Sequence, residues 1–88
     1  MNVTQIATNM LMTGGYEDWD DVEVEGSTMW LDFQVAYNAD REDTYTAAKE
    51  GQARLSKELE AAGLKATVEA FPQRRGWVNI VVQLEGAL

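Results

Sequence analysis

The sequence predicts a single α+β domain over residues 1–88, with its elements in the order α-β-β-α-β-β. Apolar residues recur every three or four positions in two segments, which is the period of an amphipathic helix. In four other segments they alternate with polar residues, which is the period of a half-buried strand. Two hairpins and two helices fit a four-stranded antiparallel sheet with both helices packed on one face. A length of 88 residues suits one domain.

The first helix is predicted over residues 4–13. Its apolar stripe consists of Val3, Ile6, Ala7, Met10 and Leu11. Thr4 is placed to cap the first turn, because a hydroxyl can accept from a free backbone N–H there. Gly14 and Gly15 can end the helix with a left-handed residue.

The first hairpin is predicted from two alternating segments, with strands over residues 21–26 and 28–37. Gly26 and Ser27 stand where a tight turn belongs. The buried face of the second strand is expected to carry Met29, Leu31, Phe33, Val35 and Tyr37. The intervening residues then point to the opposite face of the sheet.

The second helix is predicted over residues 43–62, with Asp40 or Asp43 as its cap. Its buried stripe is expected to be Tyr45, Ala48, Gln52, Leu55, Leu59 and Ala62. Gly51 lowers helix propensity in mid-helix, so it suggests close contact with another element. Gly63 predicts a Schellman end.

The second hairpin is predicted from KATVEAF and WVNIVVQLE, joined by PQRRG at residues 72–76. Pro72 and Gly76 mark the turn. Arg74 and Arg75 stand at its tip, where they either bind an anion or remain solvated.

The uncovered sheet face is the most informative part of the prediction. It is expected to carry Trp30, Trp77, Phe71 and Val81 among Glu23, Glu25, Asp32, Glu69 and Glu85. Large apolar groups in an acidic surrounding are typical of an interaction patch. Alternatively, the two tryptophans pack across neighbouring strands, or the N-terminal segment covers them.

The charge is distributed unevenly along the chain. Residues 1–40 contain eight acidic residues and no Lys or Arg, whereas residues 41–88 contain seven of each sign, so the net charge of −8 arises from the first part. Direct binding to nucleic acid is disfavoured because phosphate contacts require Lys and Arg.

The acidic stretch YEDWDDVEVEG, residues 16–26, allows three interpretations. It is a solvated loop with Trp19 packed on the core, a calcium loop, or a docking surface for a basic protein. The calcium interpretation lacks the EF-hand spacing. After Asp18 and Asp20 the next ligand is required at position 22, which is occupied by Val22.

The composition argues against most enzyme classes. The chain contains no Cys and no His, and it lacks a glycine-rich phosphate loop, a G-x-S-x-G motif and metal-ligand spacing. We therefore expect no catalytic residue, no metal and no cofactor. Neither a signal peptide nor a membrane span is expected, and the predicted location is cytoplasmic.

The predicted function is that of a non-enzymatic inhibitor or adaptor that docks on a basic nucleic-acid-binding protein, such as a nuclease or a CRISPR effector. In size and charge the chain resembles the small acidic proteins that phages and mobile elements make against host nucleases, including DNA mimics and anti-CRISPR or anti-restriction proteins. The likeness rests on these bulk properties, so it assigns no functional residues to this sequence.

The expected partner-binding residues are Glu17, Asp18, Trp19, Asp20, Asp21, Glu23, Glu25, Trp30, Asp32 and Trp77. The alternative is a structural or accessory subunit that forms a homodimer through the face carrying Trp30 and Trp77. The two functions differ in salt dependence, because electrostatic docking weakens with salt whereas apolar association does not.

Overall fold

The computed structural model describes residues 2–85, which form two α-helices, five β-strands and one 3₁₀ turn. The elements are α1 (Val3–Thr13), β1 (Asp18–Trp19), β2 (Glu23–Glu25), β3 (Thr28–Gln34), α2 (Arg41–Ala61), β4 (Ala66–Pro72), the 3₁₀ turn Arg74–Gly76 and β5 (Trp77–Leu84). The α+β class with an antiparallel sheet is confirmed. The predicted number of strands is wrong, because the described sheet has five rather than four.

The extra strand arises because the predicted strand over 21–26 is part of a longer, interrupted edge. Both β1 and β2 pair antiparallel with the same side of β3. Trp19 lies opposite Phe33 and Glu23 opposite Trp30, so residues 20–22 on the edge oppose only residues 31 and 32. One extra residue on an edge strand is a bulge, which reverses the alternation of side chains beyond it.

The strand order across the sheet is β1 and β2 together at one edge, then β3, β5 and β4. Leu31 of β3 and Ala70 of β4 both lie opposite Ile80 of the central strand β5. Since β5 is antiparallel to both neighbours, β3 and β4 are parallel, and α2 connects them. This order could not be read from the sequence, because hairpin signals say nothing about how two hairpins join.

Helix α1 begins one residue earlier than predicted, and its cap is Asn2 rather than Thr4. The side chain of Asn2 accepts from Gln5 N at 2.9 Å, and Gln5 Oε1 accepts from Asn2 N at 3.0 Å. This reciprocal pair is a capping box, which satisfies two free donors at once. The helix ends before Gly15, whose φ of +71° lies in the left-handed region.

Helix α2 is capped by Asp40, whose carboxylate accepts from Asp43 N at 2.7 Å. Its end is a Schellman motif, because Leu64 N donates to Leu59 O and Gly63 N donates to Glu60 O. The buried stripe of α2 agrees only in part with the predicted one. The buried residues are Thr44, Ala47, Ala48, Gly51, Leu55 and Leu59.

Tyr45 was predicted to be buried but is 53% exposed. The reason is that α2 packs on the sheet through the side of the helix that carries Gly51, where a β-carbon would lie 3.0 Å from Phe33 Cζ. The buried face of α2 centres on this glycine, and Tyr45 lies at its margin.

Strand β3 ends at Gln34 rather than at the predicted residue 37. Val35 N still donates to Gly76 O at 2.9 Å, but β5 begins at Trp77 and offers no partner beyond this point. Tyr37, predicted to face the core, is 69% exposed as a result.

The other sheet edge, β4, is partly blocked. Gln52 of α2 donates through Nε2 to Val68 O at 2.8 Å, and Pro72 at the end of the strand has no N–H. Val68 O points away from β5, because the backbone bonds to β5 come from the alternate residues, such as Lys65 O to Glu85 N. Side chains and proline are usual means of protecting an edge strand.

One hydrophobic core lies between the sheet and the two helices. Its centre is formed by the fully buried side chains Phe33, Met10, Leu11, Met29, Leu31, Leu55, Leu59, Ile80, Val78 and Val82. The ring of Tyr16 stacks on Phe33 at a centroid distance of 4.0 Å and closes the core beside α1. Neither described helix combines the length and apolarity that crossing a bilayer requires.

Candidate functional site

The side chains on the sheet face opposite the helices form rows across the strands, and most of them are at least partly exposed. The exception is Gln34 at one end of β3, which is almost fully buried. One row runs Glu23, Trp30, Val81 and Glu69 from edge to edge, because Glu23 pairs with Trp30, Trp30 with Val81, and Val81 with Glu69. At about 4.8 Å between strands, the row spans about 14 Å. Carboxylates therefore stand at both edges of an apolar centre.

An apolar band crosses this face diagonally, and it consists of Trp30, Val81, Phe71 and Trp77. Val81 lies beside Trp30, while Phe71 pairs with Asn79 and is thus diagonal to both Val81 and Trp77. Diagonal neighbours across strands are about 7 to 8 Å apart, within reach of aromatic side chains. Phe71 is 42% exposed, and the other three side chains are partly exposed.

The register shows that Trp30 and Trp77 do not pack on each other. Trp30 lies opposite Val81 and Trp77 opposite Gln34, which places them two rows apart, or about 13 to 14 Å along the strands. Each ring has a separate position on the open face.

The acidic face, as we name it, comprises the carboxylates that the register places around this band. They are Asp18, Glu23, Glu25, Asp32 and Glu69. The five strands contain no Lys or Arg. In residues 2–85 the one ion pair is Arg54–Glu58 on α2, at 3.7 Å, so none of these five carboxylates is ion-paired with a described base.

The bulge at residues 20–22 explains how Asp18 joins this face. In an unbroken strand Asp18 and Glu23, five residues apart, would point to opposite sides. The extra residue brings both onto the open side, opposite Gln34 and Trp30. The same bulge sends Trp19 and Val24 to the helix side, where they pair with Phe33 and Met29 at the sheet edge.

The remaining predicted site residues lie in or beside the bulge. Glu17, Asp20 and Asp21 are exposed, and Asp20 N donates to Asp32 O at 3.1 Å. Trp19 is 41% exposed but does not join the acidic face, because its register is that of Phe33. The structure thus brings together Asp18, Glu23, Glu25, Trp30, Asp32 and Trp77 and separates Trp19 from them.

Hydrogen bonds between side chains hold the polar part of the face in place. Asn79 Nδ2 donates to Asp32 Oδ1 at 2.7 Å, and Thr28 Oγ1 donates to Gln83 Oε1 at 2.7 Å. Gln83 Nε2 in turn donates to Ser27 Oγ at 2.8 Å. Ordered polar groups around an apolar band lower the entropy cost of binding a partner.

A groove of about 360 Å³ lies on the same face between β4 and β5, lined by Thr67, Glu69, Phe71, Val81 and Gln83. Glu69 and Phe71 were predicted on this face but not as partner-binding residues. The alternation in KATVEAF predicts that Glu69 and Phe71 lie on this face. Their closeness to Val81 depends on the β4–β5 register, which the sequence does not give. Among residues 2–85, no three acidic side chains converge closely enough to hold a metal ion.

No protein-family model, curated protein or solved structure matches this chain.

Proposed function

We propose that the protein is a non-enzymatic binding domain whose acidic face docks on a basic, nucleic-acid-binding protein and inhibits or recruits it. The observation that carries the proposal is the convergence of Asp18, Glu23, Glu25, Asp32 and Glu69 around the apolar band, with no base in any strand. Carboxylates at fixed positions can accept from Arg and Lys side chains that otherwise bind phosphates.

The carboxylates of the acidic face are distributed over both edges of the sheet. Glu23 and Glu25 alternate on β2, which separates their Cα atoms by about 6.8 Å. Glu69 repeats the charge at the opposite edge. Carboxylates spread over both sheet edges favour a partner with an extended basic surface, such as the nucleic-acid groove of a nuclease or a CRISPR effector.

The apolar band would supply affinity that charge alone does not provide. Exposed ion pairs contribute about 0 to 1 kcal/mol each, because water and salt screen them. Tryptophan is over-represented among the residues whose truncation costs an interface most. Trp30 and Trp77 would therefore form the centre of the interface, with the carboxylates at its rim.

Self-association through the same face is the second candidate function, supported by the partly exposed rings of Trp30 and Trp77. The charge distribution disfavours it. Two copies meeting face to face would bring their unpaired carboxylates together, and like charges in an interface are repulsive. Sedimentation at rising salt would show association strengthening if this candidate were correct.

The test is binding to a panel of purified nucleic-acid-processing enzymes at low and high salt, with duplex DNA as competitor. We expect one or more enzymes to bind the protein at low salt and to release it at high salt. Duplex DNA should compete with the protein for these enzymes. Binding that high salt and DNA leave unchanged would contradict the proposal.

A pair of charge-reversal variants sharpens this test. Asp18→Lys, Glu23→Lys and Glu25→Lys together change the acidic face, and Glu42→Lys, Glu50→Lys and Glu60→Lys together change exposed positions on α2. Each reversal adds two charges, so both variants move the net charge from −8 to −2. Only the first should abolish binding, and equal losses would mean that bulk charge alone is responsible.

A further inference from the structure

A second concave site lies at one end of the molecule, between the start of α2 and the turn that joins β4 to β5. It is a cleft of about 520 Å³, lined by Asp40, Arg41 and Tyr45 from the helix side and by Gln73, Arg74 and Arg75 from the turn. This volume is within the range of small-molecule sites. The cleft gathers three of the seven bases of a protein that is otherwise strongly acidic.

The three arginines of the cleft have no carboxylate partner among residues 2–85. The single ion pair there joins Arg54 to Glu58, away from the cleft. Asp40 is the one acidic side chain in the lining, and its Oδ1 accepts from Asp43 N at the helix cap. Glu42 and Asp43 follow in the exposed first turn of α2 and lower the local potential without lining the cleft.

Tyr45 and Lys49 extend the site along α2. The ring of Tyr45 is 53% exposed, and Lys49 Nζ lies 4.9 Å from its centroid. A fourth positive charge thus stands beside the cleft, held over an aromatic ring.

The turn that carries Arg74 and Arg75 is held firmly, although it stands at a hairpin tip. Arg75 has a φ of +55° in the left-handed region, which is uncommon for a residue with a side chain. Gln34 is almost fully buried and donates through Nε2 to Arg75 O at 2.8 Å. Gly76 is packed so closely against Ala36 O that a β-carbon could not fit.

Glycine would adopt the Arg75 conformation without strain, yet the sequence places an arginine there. Strained residues that the surrounding structure holds in place are often functional. Arg75 is therefore a candidate for a functional role beyond shaping the turn.

We infer that this cleft binds a small phosphorylated ligand through Arg41, Arg74 and Arg75. Guanidinium groups present a planar fork of donors that matches phosphate oxygens, and charge-assisted bonds of this type are about twice as strong as neutral ones. The inference does not rest on the proposed function, since no residue of the acidic face or of the apolar band lines the cleft.

The test is a titration of the ¹⁵N-labelled protein at constant ionic strength, followed by heteronuclear NMR. The probes are inorganic pyrophosphate, a nucleoside diphosphate and sodium sulfate. Saturable shifts confined to Arg41, Thr44, Tyr45 and residues 73–75 are expected with pyrophosphate. Tighter binding of the nucleoside diphosphate would assign the ligand to the nucleotides, and equal binding would assign it to free phosphates.

Two variants complete the test. Arg74→Gln with Arg75→Gln should weaken pyrophosphate binding by about tenfold, whereas Lys57→Gln with Lys65→Gln removes the same charge elsewhere and should not. Arg75→Gly should bind more weakly while keeping or raising the melting temperature. Shifts spread over all basic residues, no saturation, or equal affinity in both double variants would overturn the inference.

Discussion

Gly51 of α2 packs closely against Phe33 of β3, and a β-carbon at Gly51 would be 3.0 Å from Phe33 Cζ and 3.3 Å from Ile80 Cδ1. Both neighbours are fully buried, so neither can move aside easily. The glycine therefore sets the distance between helix and sheet. Because β3 and β5 also form the centre of the acidic face, this contact supports the site from behind.

Gly51→Ala should destabilise the protein although alanine favours helix. The propensity gain is about 1 kcal/mol, whereas overpacking a core costs about 1 to 3 kcal/mol, so we expect a net loss of about 1 kcal/mol. Urea unfolding would measure it. Ser56→Ala, at an exposed position of the same helix, gives the propensity gain alone and should stabilise slightly. An increase in the free energy of unfolding for both variants would contradict the close contact between Gly51 and Phe33.

Gln34→Leu should loosen the turn at residues 73–76. The substitution removes the bond from Nε2 to Arg75 O and should cost about 1 kcal/mol, the usual net value of a hydrogen bond. Hydrogen exchange should accelerate at Gly76 and Trp77. Thr28→Val removes the exposed bond to Gln83 at the other end of β3 and should leave that turn unchanged.

Tyr16 should make stability sensitive to alkaline pH. Burial raises the pKa of its phenol above the ordinary value of 10.0, while Arg54 lowers it and Glu50 and Glu58 raise it by smaller amounts. The folded state then holds the proton at pH values where the unfolded state has lost it. The contribution is fully present below about pH 10 and decreases as pH rises through the folded-state pKa.

Tyr16→Phe keeps the stacked ring and removes the ionisable hydroxyl group. Unfolding by urea at pH 8 and at steps above pH 10 should show a steeper loss of stability in the wild type than in the variant. Parallel curves for the two proteins would mean that Tyr16 is as accessible in the folded chain as in the unfolded one.

Trp30→Ala and Trp77→Ala should weaken binding to any enzyme captured by the panel by about tenfold or more, as expected for residues at an interface centre. Trp19→Ala is the matched control, because Trp19 is also exposed but lies on the other side of the sheet. Calorimetry would give the affinities and circular dichroism the melting temperatures. Equal effects of all three substitutions on affinity would remove the apolar band from the interface.

Most elements could be predicted because their signals are local. The Schellman end at Gly63, the cap at Asp40 and the alternation in β3 depend on neighbours a few residues away. The bulge at residues 20–22 could not be predicted, because it is defined by the pairing of Trp19 with Phe33 and Glu23 with Trp30.

The same distinction between local signals and strand pairing applies to the candidate site. Alternation placed Glu23, Glu25 and Trp30 on one face, but it could not assign Asp18 to that face or Trp19 to the other without the bulge. The arginine cleft was visible only as Arg74 and Arg75, since Arg41 and Tyr45 reach it through the packing of α2 against the turn.

The blocked edge at β4 limits how molecules of this protein can join. Amyloid-like growth requires each new chain to extend the hydrogen-bond ladder of the last one. Here Gln52 occupies one outward carbonyl and Pro72 removes one outward donor, so an arriving strand meets gaps in the ladder. The protein should resist fibril growth through this edge, and a partner at β4 should approach flat against the strands rather than alongside them.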